Sequence, residues 1–294
     1  MIVLSEDSPR LPPSASAHAL KSATEAARVV GCDVRYIPQE VVCPSATDAL
    51  SYLPVQSEET PGVWIGYIPS AEWYSALYQE CLHKRIRLLN SPDEHLNAQE
   101  FDRAYAYLKE LTPESVMLVD ASQCEQAIAQ LGLPIFVKGT IQSRKASGRK
   151  ACVAETPEEL THLCHQLLAL DSRSRGRVIA RRFVPLRHHR LSGEGFPFGR
   201  EYRVFLYRQN ILGWGYYWEG DDPLKSLTRE EEAIVLGLAK KAAHRVGTPY
   251  IAVDIGQTTE NNWIVIETGD AQFSGVCQTP RLPLWNAIRS INYR

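Results

Sequence analysis

Tyr250-Ile-Ala-Val-Asp254-Ile255 and Trp263-Ile-Val-Ile-Glu267-Thr268 are two apolar runs of strand length around the polar stretch Gly-Gln-Thr-Thr-Glu-Asn-Asn. That pattern predicts a hairpin with a long loop. A turn centred between Glu260 and Asn261 sets Asp254 opposite Glu267 and pairs Ile255 with Ile266 on the other face, so one face is apolar and one carries two acids. Directly opposed carboxylates, their Cβ atoms roughly 5 Å apart, destabilise a sheet unless a cation lies between them. Two such charges ~4 Å apart repel by about 4 kcal/mol at an effective dielectric of about 20. A hard divalent ion removes that cost and takes oxygen ligands. Gly269 would let the chain bend so that Asp270 joins. In another register both acids are solvated surface groups, and spacing alone leaves the two arrangements open because a long loop fixes register poorly.

Outward from the hairpin, β character dominates from Arg177 on: strands are predicted over 178–184, 201–207, 211–218, 250–255 and 263–268, interrupted by one helix over 228–245. Before it, Asn90-Ser91-Pro92 marks a break. A helix over 92–111 with apolar Phe101, Tyr105 and Leu108 follows, then a strand over 115–119, a helix over 124–131 and the strand 134–139. Residues 140–150 are polar and basic, and Thr156 caps a helix that has Pro157 at its first position and ends near Asp171. In the first ninety residues, strands over 1–4, 33–37 and 62–67 alternate with helices over 17–30 and 71–83, which predicts an open, mostly parallel sheet. The run 9–16 is a loop after the first strand, a common place for a ligand contact in such sheets.

The 294 residues, 44% apolar and 22% charged, can bury a full core and make two or three subdomains. A formal charge of −2 gives no global field to recruit nucleic acid or an acidic membrane, so an anion site must be local. Seven cysteines without a C-x-x-C pair fit free thiols in a reducing compartment. The N-terminus has neither a basic leader nor a long apolar run, and no apolar run approaches the ~20 residues of a membrane span. A cytoplasmic protein without membrane partners is expected.

Taken in order, these segments resemble the ATP-grasp superfamily, whose nucleotide module runs strand, flexible loop, hinge and metal-binding hairpin. The likeness runs from residue 90 to the C-terminus. It implies an α/β protein with α+β lobes: an ATP-grasp fold behind an N-terminal open α/β pre-ATP-grasp domain. The implied division is 1–90, then 91–180 as the N-terminal lobe with the phosphate loop, then 181–294 as the C-terminal lobe with the metal hairpin. Pro134-Ile-Phe-Val-Lys138-Gly139 resembles the strand whose lysine reaches the α and β phosphates, which implies nucleotide binding and a catalytic role for Lys138. Arg103 stands where many relatives carry another phosphate-facing lysine. Residues 143–150 resemble the phosphate loop, with Ser143, Ser147 and Gly148 as small groups and Lys145, Arg149 and Lys150 as charge. Backbone N–H groups of such a loop cradle phosphate, and its mobility lets it close.

Val178-Ile-Ala-Arg-Arg182-Phe183-Val184 resembles the hinge that reads adenine through Arg182, Phe183 and Val184. Relatives commonly carry glutamate where Arg182 stands, so main-chain contacts survive here, a side-chain contact to the adenine amino group does not, and base specificity stays open. Glu201 is implied at the ribose hydroxyls and Ile266 at the nucleotide. Arg203 shares the face of Glu201. It is assigned to phosphate or a developing acyl phosphate, since guanidinium matches phosphate geometry. A cross-strand salt bridge to an acid is the other reading of Arg203. Ala252 stands where many peptide-ligase relatives carry a catalytic arginine. The implied metal ligands for Mg²⁺ are Asp254 and Glu267, with Asp270 in place of an asparagine that falls on Gly269 here.

Further features have a substrate-site reading beside a plain structural one. Arg187, His188, His189 and Arg190 suit an anionic acceptor, a nucleic-acid phosphate or a solvated loop. His162 and His165 have metal-pair spacing on a helix without an acid nearby, which favours a surface face. Trp214, Tyr216, Tyr217 and Trp218 suit an acceptor wall or a stacking platform, or core packing. Lys225 is a further candidate for phosphate. The resemblance implies an ATP- and Mg²⁺-dependent ligase that joins a small-molecule or peptide carboxylate to an amine through an acyl phosphate, with the N-terminal domain contributing to the acceptor pocket. A phosphotransferase acting on a hydroxyl and a non-catalytic ATP-binding module would use the same site, and both stay open.

Overall fold

Strands separated by helices have no hairpin available and pair in parallel. In the computed structural model, which describes residues 1–9 and 12–292, β1 (Ile2–Ser5), β2 (Asp33–Tyr36), β3 (Thr60–Ile65) and β4 (Ile86–Leu88) form a parallel sheet in the order β2-β1-β3-β4. Helices α1 (Ala15–Val29), α2 (Ala46–Ala49) and α3 (Ala71–His83) connect these strands. Residues 10 and 11 of the loop expected over 9–16 lie outside the described residues. At its end the Ser14 hydroxyl accepts from the Ala17 N–H and caps α1.

The single helix expected over 92–111 is two, α4 (Pro92–Gln99) and α5 (Phe101–Leu108). Between them Glu100 takes extended backbone, and its buried carboxylate accepts from Arg103, Arg175 and Arg177. The Phe101 N–H donates to the Thr140 carbonyl, so tertiary partners override helical continuity. The next sheet is antiparallel, β5 (Ser115–Leu118), β6 (Ile135–Gly139), β7 (Val153–Ala154) and β8 (Val178–Arg182), in the order β5-β8-β6-β7. Ile135, Val137, Val178 and Ala180 pack under α6 (Cys124–Leu131) and α7 (Pro157–Leu168). Alternation sends Phe136, Lys138, Ile179 and Arg181 to the opposite face. A short helix, α8 (Asp171–Ser174), leads into β8.

The stretch 185–199 is no plain loop: β9 (His188–Leu191) and β10 (Pro197–Gly199) pair in it as a hairpin. Then β11 (Glu201–Tyr207), β12 (Asn210–Tyr216), β13 (Tyr250–Gln257) and β14 (Trp263–Asp270) form an antiparallel sheet in the order β12-β11-β13-β14. Tyr202, Val204, Leu206, Ile251, Val253 and Ile255 bury one face against α9 (Arg229–Val246). The other face is divided. Phe205, Tyr207, Tyr250 and Ala252 join Val3 and Ile65 of the N-terminal sheet and Leu284, Trp285 and Ile288 of α10 (Arg281–Arg289) in one core. Glu201, Arg203, Asp254 and Glu267 occupy the remainder.

Asp254 does pair with Glu267, but a bulge follows, and Ile255 pairs with Val265 rather than Ile266. The extra residue is stabilised by partners outside the hairpin. Arg181 Nη1 donates to the Ile266 carbonyl at 2.7 Å, and the Val265 N–H donates to Leu111 at 2.8 Å.

Asp270 is not beside the two acids. It pairs with Ile251, one residue out of phase with Glu267, and is fully buried. Its carboxylate accepts from Asn90 Nδ2 at 2.9 Å and from the Gln272 N–H at 2.9 Å, and it meets His95 Nδ1 at 2.8 Å. Asn90 also bonds both backbone groups of Tyr250, so this node locks the hairpin to the start of α4. Asp270 as third metal ligand is therefore corrected: strand alternation turns it the other way, and protein donors saturate it. Asp270→Asn should lower stability by about 3 kcal/mol, the upper end for leaving buried hydrogen-bonding groups without their partner. Urea unfolding reads that loss, and the Mg²⁺ dependence of nucleotide binding should not change. A selective change in Mg²⁺ dependence at unaltered stability would return Asp270 to the metal site.

Candidate active site

Alternation in β11 places Glu201 and Arg203 on one face, and register carries the row across the sheet, Arg203 opposite Asp254 and Asp254 opposite Glu267. Arg203 clamps Asp254 with two hydrogen bonds, Nε to Oδ1 and Nη2 to Oδ2, both 2.7 Å. Lys138 reaches down from β6 to donate to Glu267 Oε2 at 2.5 Å. Lys145 enters from the 143–150 loop to within 3.6 Å of Glu201 Oε2. Lys138, Glu201 and Asp254 are at most 2% exposed. Arg181, also buried, lies over the Phe101 ring, with its Nη2 lacking a partner among the described residues. Three acids thus face four cations, an arrangement one charge short of neutrality and ready for an anion.

Burial pushes the Glu267 carboxyl up, but Lys138 and then Lys145 outweigh it and hold it down to about 2. Burial likewise works against the charge on Arg203, and Asp254 more than restores it. Lys145 behaves the same way, burial being outweighed chiefly by Glu201. Burial raises Glu201 against the pull of Lys145. Arg181 has no such partner close by, and burial brings it down to about 10. Lys138 is also lowered, first by burial.

Beside the row lies a slot of about 70 Å³ whose walls include Phe136, Phe183, Val184, Leu186 and Ile266, with Lys138, Lys145 and Arg181 at its polar end. The bulge is what aims Ile266 here, against Leu186 and Gly256. The Val184 N–H donates to no carbonyl among the described residues and lies in this wall. Ser143 lines the slot. Ser147 and Gly148 sit in the loop above, where Gly148 (φ +90°) lies so close to the Glu194 carbonyl that a Cβ there would stand 2.6 Å from its oxygen. Arg149 stacks on Phe183, 4.7 Å from the ring centre.

One expected contact goes elsewhere. Arg103 points outward and donates to Glu100 at 3.1 Å, because the break at Glu100 turns its face of α5 away from the slot; it does not line the slot, which corrects its phosphate assignment. The Arg182 side chain is exposed and bonds Glu114 at 2.7 Å, leaving only its backbone at the slot. Arg190 pairs with Asp222, Lys225 pairs with Asp221, and His162 and His165 lie on an exposed helix face. All seven cysteines are free. The aromatic run divides. Trp214 and Tyr216 pack on Tyr202 in the core. Tyr217 lies under Arg203 at 4.9 Å and Lys145 at 5.7 Å. Tyr217 follows the acceptor-wall reading of the aromatic run, whereas Arg181 was not legible as a site residue. Arg181 becomes one through its pairing with Phe136, two residues from Lys138, and no local pattern announces that register.

A second cavity, of about 210 Å³, opens between α1, the turn after β3, residues 271–276 and α10. Gln142 lines this cavity while Ser143, the next residue, lines the slot. Arg203 Nη1 donates to the Gly275 carbonyl in its wall at 3.0 Å.

Two antiparallel sheets that close a basic loop over an acidic hairpin, behind a parallel N-terminal sheet, are the architecture of solved ATP-grasp proteins. An ATP-grasp RimK domain protein from Sphaerobacter thermophilus DSM 20745 is 14% identical, with 98% of each chain covered and a TM-score of 0.60. The D-cycloserine synthetase DcsG is 14% identical, with 98% of each chain covered and a TM-score of 0.61. D-alanyl-alanine synthetase A from Vibrio cholerae O1 biovar eltor str. N16961 is 13% identical, covering 99% of this chain and 94% of that one at a TM-score of 0.58. The chain belongs to the ATP-grasp domain family: the model of one ATP-grasp clade, its family 3, matches residues 129–288, more than half of the sequence. No curated protein matches it. No described helix is long and apolar enough to cross a membrane.

The Lys138–Glu267 pair has a measurable consequence. A carboxyl held below its ordinary 4.5 adds stability that is present above that value and is lost as pH falls toward 2. Lys138→Met should raise the Glu267 pKa by more than about one unit, since a close opposite charge is worth that much. A side-chain ¹³C NMR titration measures it, and an unchanged midpoint would show that Lys138 does not govern this acid.

Proposed function

We propose that this protein is an ATP- and Mg²⁺-dependent ligase that joins a carboxylate to an amine or similar nucleophile through an acyl phosphate, releasing ADP and phosphate. One observation carries the reading: Asp254 and Glu267 directly opposed beneath Lys138 and Lys145, beside a slot with one apolar and one cationic end. On this reading residues 1–90 form the pre-ATP-grasp domain, 91–180 the N-terminal lobe and 181–294 the C-terminal lobe.

The donor set fits Mg²⁺, which is commonly held by one or two carboxylates and completed by substrate phosphates and water. Asp254 and Glu267 would be those carboxylates; no cluster of three metal-binding side chains occurs among the described residues. When bound, the ion supplies charge neutralisation at the phosphates. The remaining work falls to the chain. Phe183, Leu186 and Ile266 would hold the adenine ring, with the Val184 N–H toward its edge. Glu201 would reach the ribose hydroxyls.

Lys138, Lys145 and Arg181 would take the phosphates, and because Lys138 and Arg181 are already buried in place, they would reorganise little during charge transfer. A slot of about 70 Å³ is small against the ~300–1,000 Å³ of ligand pockets. The nucleotide would therefore displace Lys145 and lift the 143–150 loop. Arg203 would exchange part of its clamp on Asp254 for the transferring phosphoryl group. An acceptor carboxylate oxygen attacks the γ-phosphorus, the bridging oxygen leaves with ADP, and the nucleophile then attacks the acyl carbon and expels phosphate. The cavity behind Arg203 suits the acceptor.

Glu267→Gln should lower ATP turnover by about 100-fold or more, the scale of losing one charge-stabilising group, with the circular dichroism spectrum retained. Full turnover in that variant would sink the site. Lys138→Ala should weaken ATP-analogue binding by about tenfold, one lost charged hydrogen bond, and unchanged affinity would remove Lys138 from the phosphates. Acceptor-dependent release of free phosphate separates a ligase from a phosphotransferase, which leaves the phosphate on its product.

A further inference from the structure

In the N-terminal sheet the order β2-β1-β3-β4 puts a topological switch point between β1 and β3, and ligands of open α/β sheets bind in the crevice at the carboxyl ends of such strands. The 210 Å³ cavity lies at that crevice, with Ile65 and Gly66 at the end of β3 in its wall. Glu6, just past β1, fixes this wall by accepting from the Trp64 indole N–H at 3.1 Å and from the Tyr67 backbone N–H at 3.0 Å. The space itself comes from sequence: α1 presents Ser16, Ala19 and Ala23 on one helical face, three small side chains where bulky ones would pack against α10. Protein interiors leave few voids larger than a water molecule, and an apolar cavity of ~150 Å³ already holds benzene.

The lining is also selective. No Asp, Glu, Lys, Arg or His occurs among the described residues around the cavity, whose large members include Leu20, Phe205 and Trp285. A charged group entering it would lose its hydration without a partner. The charge lies at one edge, where Arg203 bonds Gly275 and where Gln142 adjoins the nucleotide slot. We infer that the acid activated by this protein carries an uncharged apolar body of about phenyl size, which enters this cavity while its carboxylate stays at the mouth beside Arg203. Ala19, Ala23 and Trp285 set the size accepted. The inference rests on the ligase reading and adds the substrate class to it.

Calorimetric titration of the full chain with 3-phenylpropionate, 4-methylpentanoate, propionate and glutarate, each with and without Mg²⁺ and the non-hydrolysable analogue AMPPNP, tests this. The two bulky apolar acids should bind at least about tenfold more tightly than propionate, the scale of hydrophobic discrimination, and glutarate should bind no better than propionate. Ala23→Trp, which fills the cavity, should abolish the preference and leave AMPPNP affinity unchanged. Ala19→Leu is the milder second variant and should reduce the preference. Equal binding of the four acids, preference for glutarate, an unaltered preference in both variants, or AMPPNP binding with no acid bound would each overturn the inference while leaving the ligase reading standing. Failure of AMPPNP itself to bind would strike the ligase reading, and the nucleotide-free titrations would then still decide whether the cavity prefers the bulky acids.

Discussion

Two carboxylates forced face to face inside a protein are the constraint on which the rest of this structure depends. The register that opposes Asp254 to Glu267 creates a repulsion that a fold without a ligand must relieve by other means. Here relief comes from distant parts of the chain: Arg203 from the neighbouring strand and Lys138 from the other sheet. The Lys138–Glu267 contact joins residues 129 positions apart and ties the two antiparallel sheets together. The same ion pairs that close the site are the ones a metal nucleotide would have to exchange. On the proposed function, cations already paired with acids would move to phosphate and a divalent ion would take their place on the acids, which would keep the buried charge compensated.

The far end of the same sheet face obeys the opposite rule. Two residues along β11 and β13 from Arg203 and Asp254, Phe205 and Ala252 enter an apolar core shared with the N-terminal sheet and α10. Polar row and apolar core are thus halves of one surface. Arg203 stands at their border, touching the wall of the uncharged cavity through Gly275. Asp270 belongs to this border in another way: its buried bonds to Asn90, His95 and Gln272 hold the hairpin against the N-terminal part of the chain.

Much of this was legible in the sequence where local periodicity and local chemistry agreed. The strand–helix alternation of the first ninety residues announced the parallel sheet, and Thr156 with Pro157 announced the start of α7, where Glu159 completes a capping box. The pairing of Asp254 with Glu267 was one of the two arrangements the sequence left open, and it forms with the turn centred on Glu260 and the bulge making up the difference. What failed to read was set by contacts distant in sequence. The bulge at Ile266 depends on Arg181 and Leu111. The break at Glu100 depends on Arg175 and Arg177, and it turned Arg103 outward. Asp270 was misplaced because a bend at Gly269 was expected to bring it round, whereas the strand runs on through Asp270 and its two-residue period sends that side chain to the other face. The hairpin β9–β10 was missed because its Gly- and Pro-rich sequence carries little strand propensity.

The central claim is that an acceptor carboxylate receives the γ-phosphoryl group over the Asp254–Glu267 pair, and trapping with hydroxylamine reads it most directly. Protein, Mg-ATP, hydroxylamine and an apolar acid such as 3-phenylpropionate should give the acid's hydroxamate together with ADP and free phosphate in equal amounts. ADP formed with the phosphate retained on the organic product, or nucleotide bound with no hydroxamate from any acid supplied, would contradict it.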